Sequence, residues 1–266
     1  MNRPGTKFAE ALMQTDEEAK WIFAKSHYDT AIKITANIRK NNKLKELDNW
    51  WRKELFSVVQ ARSPRHITLP ELEKIMRWKI TRGQDRPMLI GLINQNSAKA
   101  VISASQISFQ KLSQNDWKAA INALTVLRGV GPATASCVLA PFSPSLCPFM
   151  SDEVLETCTG RKREYTLKAY ENMRAVLCTK ATNSSKVWTN EWTAEDLGQA
   201  LWAHAIISLH PEYCEEKKIT KTGKDENEKK LEEMLLEPPK KRQFNEIKEE
   251  INRNSQESSR SKRKRK

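Results

Sequence analysis

Apolar residues recur at spacings of three and four over most of the first 209 positions, the period of a helix with one buried face. Glycine occurs only eight times in 266 residues, and no segment has the alternation of a strand. We therefore predict an all-α fold, with one multi-helix domain over residues 1–214. The predicted helices are 8–23, 28–38, 47–60, 68–83, 86–94, 98–111, 116–127, 133–139, 152–158, 165–177 and 194–209.

Local signals indicate where several of these helices begin. Thr68 with Glu71 three residues later is a capping-box pattern, in which each side chain bonds the backbone of the other residue. Ser113 and Asp116 have the same spacing and predict the same type of start. The helix over 47–60 is expected to bury a stripe formed by Trp51, Leu55 and Val58.

The composition changes after position 214. Lysine, glutamate, asparagine and serine dominate 215–266, which cannot bury enough apolar surface to offset its ordering entropy, so we predict a disordered tail. The clusters PPKKR (238–242) and KRKRK (262–266) resemble nuclear localisation signals. They predict a nuclear protein that is bound by the import machinery, and each cluster is also a candidate accessory contact to DNA.

The net charge indicates a polyanionic partner. The chain carries +13, of which the tail holds +5 and residues 1–214 hold +8, so the predicted domain is basic in its own right. A basic surface binds nucleic acid through phosphate neutralisation and counterion release.

The cysteines and the hydropathy exclude other classes of protein. Five cysteines without a CxxC pair argue against a zinc ribbon and a disulfide framework, so we expect a reducing compartment, no metal and no cofactor. No stretch approaches the roughly 20 apolar residues that span a bilayer, and the first residues lack the apolar run of a signal peptide. We expect a soluble intracellular protein without a membrane partner.

The segment LRGVGPATA (127–135) predicts a tight turn between two helices. Gly129 and Gly131 permit unusual backbone angles and leave the peptide N–H groups open to a ligand, while Val130 can anchor the turn in the core. Pro132 suits the first position of the next helix. Free N–H groups at a helix N-terminus form an anion site, and DNA phosphate is the expected anion.

This segment resembles the helix-hairpin-helix motif over nine residues. The resemblance implies that the turn binds one DNA strand by its backbone, independently of sequence, through the residues Arg128, Gly129, Val130, Gly131 and Thr134. The alternative is that the glycines only cap a helix within a bundle.

An acidic residue follows at Ser151-Asp152-Glu153, beyond a crossing that contains three prolines. Together with the turn, this arrangement resembles the DNA glycosylase superfamily that is named for its hairpin and a Gly, Pro and Asp, and that includes endonuclease III. The resemblance implies that Asp152 is the catalytic carboxylate, which stabilises the cation formed when the bond to a flipped-out base breaks. The alternative is that Ser151 and Asp152 merely cap a helix.

Two departures limit what the resemblance implies. Members that also cleave the backbone carry a lysine where this chain has Ala133, so we expect a monofunctional glycosylase without lyase activity. The four-cysteine iron–sulfur loop of some members is missing as well. A non-catalytic DNA-binding or chromatin-associated adaptor on the same scaffold is therefore the alternative function.

The segment IMRWKITRGQDRP (75–87) is the densest mixture of basic and aromatic residues in the predicted domain. Arg77, Lys79 and Arg82 are candidate DNA contacts, because basic side chains pair with phosphate. Trp78 could stack on a base, but its helical spacing from Ile75 favours a place in the core.

Overall fold

The computed structural model describes residues 5–160 and 163–215, so the tail predicted from 215 onward lies almost wholly outside the described residues. Every regular element in the described ranges is helical, which confirms the all-α prediction. The helices are α1 (Thr6–Gln14), α2 (Glu18–Ser26), α3 (Tyr28–Ile38), α4 (Leu44–Asn49), α5 (Leu55–Gln60), α6 (Leu69–Arg82), α7 (Met88–Ile93), α8 (Ala98–Ser113), α9 (Trp117–Thr125), α10 (Pro132–Leu139), α11 (Asp152–Thr159), α12 (Leu167–Ser184), α13 (Ala194–Leu209) and α14 (Glu212–Glu215). A π-helical turn, Trp50–Glu54, joins α4 to α5.

The prediction of one continuous helix over 8–23 is wrong, because residues 15–17 are not helical and separate α1 from α2. Thr15 is extended, and its carbonyl accepts hydrogen bonds from the Trp21 indole at 3.1 Å and the Lys180 ammonium at 2.9 Å. The carbonyl of Asp16 accepts from the Trp188 indole at 2.7 Å. Side chains from α2, from α12 and from the loop after α12 thus replace the backbone partners that a continuous helix would supply.

The predicted stripe in 47–60 is wrong at one position. Val58 is 41% exposed, and Val59 is buried in its place beside Trp51 and Leu55. The π-helical turn accounts for the difference, because it adds a residue to the turn and shifts the buried face by one position.

The predicted helix starts are confirmed in part. Thr68 and Glu71 form the expected capping box at α6, with both reciprocal bonds present. The start predicted at Ser113 is wrong, since Ser113 is the last residue of α8 and Asp116 is the N-cap of α9, where it accepts a hydrogen bond from the Ala119 N–H at 2.9 Å.

Helix α13 lies at the centre of one group of helices and packs against α1, α2, α3, α11 and α12. Helix α6 packs against α3, α4, α7, α8 and α10. Trp78 of α6 is fully buried and stacks on Trp51 at 4.0 Å between ring centroids, which confirms its place in the core. None of the described helices has the length and apolar character that crossing a membrane requires.

Candidate functional site

A cleft of about 150 Å³ lies between α6, α10 and the start of α11. The cleft is partly open and lined by charged and aromatic side chains, and its volume is of the order of one flat ring system. Its walls are basic residues at the end of α6, the glycine turn that joins α9 to α10 (residues 126–131), and the extended segment that leads into α11. The two local sequence motifs, more than twenty residues apart, therefore meet at one cleft.

Asp152 is the first residue of α11 and lines this cleft. One carboxylate oxygen, Oδ1, accepts a hydrogen bond from the Tyr165 hydroxyl at 2.7 Å, and the other, Oδ2, accepts from Nη1 of Arg163 at 3.3 Å. Both donors lie beyond the helix that Asp152 begins. These two hydrogen bonds hold the carboxylate in a defined orientation. The Asp152 side chain keeps 11% of its surface exposed at the cleft.

Ser151 precedes α11 in the N-cap position, but its hydroxyl makes no capping hydrogen bond. The interpretation of Ser151 as a side-chain cap is therefore wrong. Ser151 is 6% exposed and lines the cleft, and its Oγ is a buried atom without a hydrogen-bond partner in the described part of the chain. A buried hydroxyl without a partner costs free energy unless a ligand supplies the missing hydrogen bond.

Tyr165 connects the carboxylate to a basic residue of the opposite wall. Its ring lies 4.8 Å from the Arg86 guanidinium, and its hydroxyl accepts a hydrogen bond from Arg86 at 3.3 Å while donating to Asp152. Burial, and then the hydrogen bond and charge of Asp152, raise the pKa of Tyr165 to about 12. The phenol therefore stays protonated at neutral pH and remains a donor to the carboxylate.

Arg163 ties Asp152 to the interior of the domain. Its guanidinium also pairs with the buried carboxylate of Glu156 at 3.0 Å, and Glu156 accepts a hydrogen bond from the Thr6 hydroxyl at 2.7 Å. The position of α11 relative to α1 is thus linked to the orientation of the carboxylate in the cleft.

Two of the three basic candidates of α6 lie at the cleft. Lys79 is half-buried there, and burial lowers the pKa of its ammonium, helped by the charge of Arg86. Arg82 is 5% exposed, with its guanidinium 3.7 Å from the Trp202 ring centroid. Arg77 lies outside the lining of this cleft and pairs with Glu73 one helical turn earlier at the surface of α6.

The two glycines of the turn have different surroundings. Gly129 has φ +77°, and a Cβ there would approach Leu92 Cβ at 3.0 Å and the Ile93 nitrogen at 3.3 Å, so this glycine is packed against α7. Gly131 has an ordinary φ of −98°, and a Cβ there would meet nothing within 4 Å. Only Gly131 therefore presents an open surface to a ligand.

The backbone of the turn leaves donors available at this open surface. Its hydrogen bonds include that of the Val130 N–H to the Leu127 carbonyl at 3.1 Å and those of the first turn of α10 to the Gly131 carbonyl. Within the described ranges, the N–H groups of Gly131 and Ala133 have no backbone acceptor. They lie at the start of α10, where the helix dipole favours an anion.

The other candidates of the turn differ in exposure. Val130 is 5% exposed and anchors the turn, and Thr134 is 3% exposed but lines the cleft. Arg128 is exposed, and its backbone N–H and carbonyl are both bonded to the side-chain amide of Asn96, at 2.9 and 3.0 Å. The Arg128 guanidinium donates to Gln95, so α7 and the loop after it brace the turn.

Sequence reasoning missed several residues of the cleft. Tyr165 and Arg163 lie in a loop without a recognisable motif, and Arg86 was within the basic segment but was not singled out. Phe149 was missed because a single aromatic after a proline has no pattern. In the ranges that the structure describes, no group of three or more His, Cys, Asp and Glu side chains could hold a metal ion.

Comparison with protein-family models, with curated proteins and with solved structures gives no match to this chain. The interpretation of the cleft therefore rests on its own geometry and chemistry.

Proposed function

We propose that this protein is a DNA-binding protein of the helix-hairpin-helix glycosylase type, and that it removes a flipped-out damaged or mismatched base. The observation that carries the proposal is that Asp152, at the start of α11, lines a ring-sized cleft together with Gly131 of the glycine turn. A base extruded from a duplex needs a pocket of this size beside the point where the strand is held.

The chemistry follows from the position of the carboxylate. Cleavage of the bond between C1′ and the base leaves positive charge on the deoxyribose, and the Asp152 carboxylate stabilises that charge and orients the attacking water. Tyr165 and Arg163 hold the carboxylate in place by their hydrogen bonds. The glycine turn supplies N–H groups to a phosphate, which positions the strand without distinguishing its sequence.

The charge of the protein supports a polyanionic partner. The whole chain carries +13, and the two basic clusters of the tail support import into the nucleus, where damaged DNA lies. Those clusters lie outside the described residues, and a nuclear location is part of the proposal.

One observation favours the alternative of a non-catalytic adaptor. Both oxygens of the Asp152 carboxylate already accept hydrogen bonds from the protein, as a purely structural carboxylate would. An adaptor would use the glycine turn and the basic surface and leave the cleft without a chemical role.

The test is a screen for base release on duplexes that carry uracil, mismatched thymine, alkylated or oxidised bases, with strand breaks scored after alkali treatment. Wild type is compared with Asp152→Asn and with Asp29→Asn, a control carboxylate that is 74% exposed in a surface ion pair outside the cleft. We expect the Asp152 variant to lose release by at least about a hundredfold and the Asp29 variant to keep it.

Duplex binding is measured in parallel as a function of salt. If the turn binds phosphate, log K should fall linearly with log salt, with a slope of about 0.9 for each phosphate neutralised. Binding by all three proteins without release of any base would support the adaptor. Binding that does not respond to salt would contradict the DNA-binding proposal itself.

A further inference from the structure

The cleft contains hydrogen-bond donors that lack acceptors. Nε of Arg82 is buried without a partner, and so is Oγ of Ser151. The Lys79 ammonium, half-buried at the same cleft, has no hydrogen bond or ion pair among the described residues. Buried donors are nearly always satisfied in folded proteins, so the two buried atoms, with the half-buried ammonium beside them, indicate a ligand that supplies acceptors.

The carboxylate and the side-chain amide of the cleft, in contrast, already accept hydrogen bonds from the protein. Asp152 accepts from Tyr165 and Arg163 through its two oxygens. Oε1 of Gln84, at the mouth of the cleft, faces Arg86 at 3.4 Å and Arg163 at 3.4 Å. A ligand N–H group placed against Lys79 or Arg82, which have no acceptor atom, would gain no hydrogen bond there.

The walls favour a flat neutral ring over a phosphate. Phe149 and Tyr165 bring aromatic surface, and Leu89 brings aliphatic surface. Because Lys79, Arg82 and Arg86 outnumber the Asp152 carboxylate in this lining, charge does not exclude an anion, and the preference for a ring rests on these apolar walls. A phosphate suits the open surface at Gly131, and an uncharged ring suits the cleft beside it.

Arg82 is fixed in orientation by the rings around it. Its guanidinium lies 3.7 Å from the Trp202 centroid, 5.3 Å from that of Trp78 and 5.4 Å from that of Phe149. Aromatic faces attract a cation without consuming its N–H donors, so the guanidinium keeps hydrogen bonds available for a ligand.

We propose that the cleft selects nucleobases that carry ring carbonyl oxygens, such as uracil, thymine and hypoxanthine, over bases with an amino group at the same position. The inference rests on the proposed function, because it assigns the cleft to the extruded base. Lys79, Arg82 and Ser151 donate to the carbonyl oxygens or ring acceptors. Cytosine and adenine place an N–H₂ donor where uracil and hypoxanthine place an oxygen, so they leave the Lys79 and Arg82 donors, which cannot accept, unpaired.

The test uses two pairs of bases that differ only in this substituent. Uracil is compared with cytosine, and hypoxanthine with adenine, in one duplex sequence and opposite the same abasic-site analogue, so that neither member of a pair is held by base pairing. Release of the base is measured with the full-length wild-type chain. Affinity is measured with full-length Asp152→Asn, which is expected to bind without cleaving. The carbonyl member should be released and bound better by at least about tenfold in both pairs.

A variant of a cleft residue and a control variant outside the cleft test whether the selectivity comes from the cleft. Lys79→Met keeps the length of the side chain but removes the ammonium, and should lower the preference to within about threefold. Lys33→Met, an exposed residue of α3 outside the cleft, is the control and should leave the preference unchanged. If Lys79→Met does not fold, as judged by its thermal melt, Lys79→Gln provides the same test, because its amide both donates and accepts.

The outcomes separate the two proposals. Release that is equal for both members of a pair, or that favours the amino member, overturns the inference and leaves the glycosylase standing. Selective binding of the carbonyl member without release of any base supports the selective cleft and contradicts catalysis. If the protein shows neither base release nor selective binding, both the glycosylase proposal and the selective cleft are overturned.

Discussion

Ser151 shows how a residue can occupy a capping position without capping. Because its hydroxyl is buried and unpaired, Ser151→Ala should leave the free energy of unfolding unchanged or raise it by up to about 1 kcal/mol. Thr166 is the matched control, since its side chain caps α12 by accepting from the Ala169 N–H at 3.1 Å, and Thr166→Ala should cost about 1 kcal/mol. Urea unfolding of the three proteins measures both values. Equal losses in the two variants would mean that Ser151 does cap α11.

Tyr165 is a positioning residue for the carboxylate in the proposed mechanism. Tyr165→Phe removes the hydrogen bond to Asp152 but keeps the ring against Arg86, so the fold should persist. We expect the single-turnover rate of base release to fall by roughly tenfold while duplex affinity stays within a factor of two. Tyr213→Phe, outside the cleft, is the control. A loss of affinity that equals the loss of rate would instead place Tyr165 in DNA binding.

At the scale of elements, the proposed function gives the two glycines of the turn different roles, folding for Gly129 and binding for Gly131. Gly129→Ala should destabilise the protein by about 1–2 kcal/mol or more, because φ +77° is strained for alanine and the new methyl group approaches α7. Gly131→Ala should cost less than about 1 kcal/mol but weaken duplex binding several-fold, because its methyl group occupies the open surface in front of the N–H groups.

Thermal melts of the two glycine variants measure the loss of stability, and salt-dependent binding measures the loss of duplex affinity. If Gly131→Ala binds duplex as tightly as wild type, the turn is a helix cap within a bundle and the phosphate contact must lie elsewhere.

The sequence predicted most helices because their signals are local. The capping box at Thr68 is complete within four residues, and the period of the apolar residues marks the buried face. The break at Thr15 was missed because Lys180 and Trp188 stabilise it from the other end of the chain. The shift from Val58 to Val59 was missed because periodicity assumes a regular α-helix.

The site shows the same difference between local sequence signals and contacts that depend on distant parts of the chain. Asp152 and Gly131 were singled out because each belongs to a local pattern in the sequence, and only the family resemblance linked the two. The partners of Asp152, Tyr165 and Arg163, come from a loop whose path depends on the packing of α11 and α12. Packing of this kind has no signature in a single sequence, so the lining of the cleft emerges only from the folded chain.

At the scale of the whole molecule, α13 joins the interior of the domain to the cleft. Oε2 of Glu195 on α13 accepts a hydrogen bond from the Phe149 N–H at 2.6 Å, and Oε1 accepts from Gln199 at 3.0 Å. Phe149 in turn lies against the Arg82 guanidinium in the wall of the cleft. The geometry of the cleft therefore depends on a carboxyl group in the core.

That carboxyl group should make stability depend on pH in an unusual direction. Burial raises the pKa of Glu195 to about 7, so the folded state favours its neutral form. As pH rises from about 4.5 to about 7, the unfolded state ionises first and the protein loses up to about 3 kcal/mol from this group. Glu195→Gln should remove that loss, so its stability relative to wild type should rise by roughly 1–3 kcal/mol between pH 5 and pH 8.

The adjacent residue provides a control of opposite sign. Despite burial, hydrogen bonds from Lys25 and Thr193 lower the pKa of Asp196, so its contribution is present above about pH 3.8 and is lost as pH falls through the folded-state pKa. Asp196→Asn should therefore cost about 1–2 kcal/mol at pH 7 and progressively less below pH 3.8. Urea unfolding of both variants and wild type at a series of pH values measures the two curves. A Glu195→Gln curve parallel to that of wild type would show that Glu195 is ionised in the folded core, with Arg82 as the nearby cation that stabilises its charge.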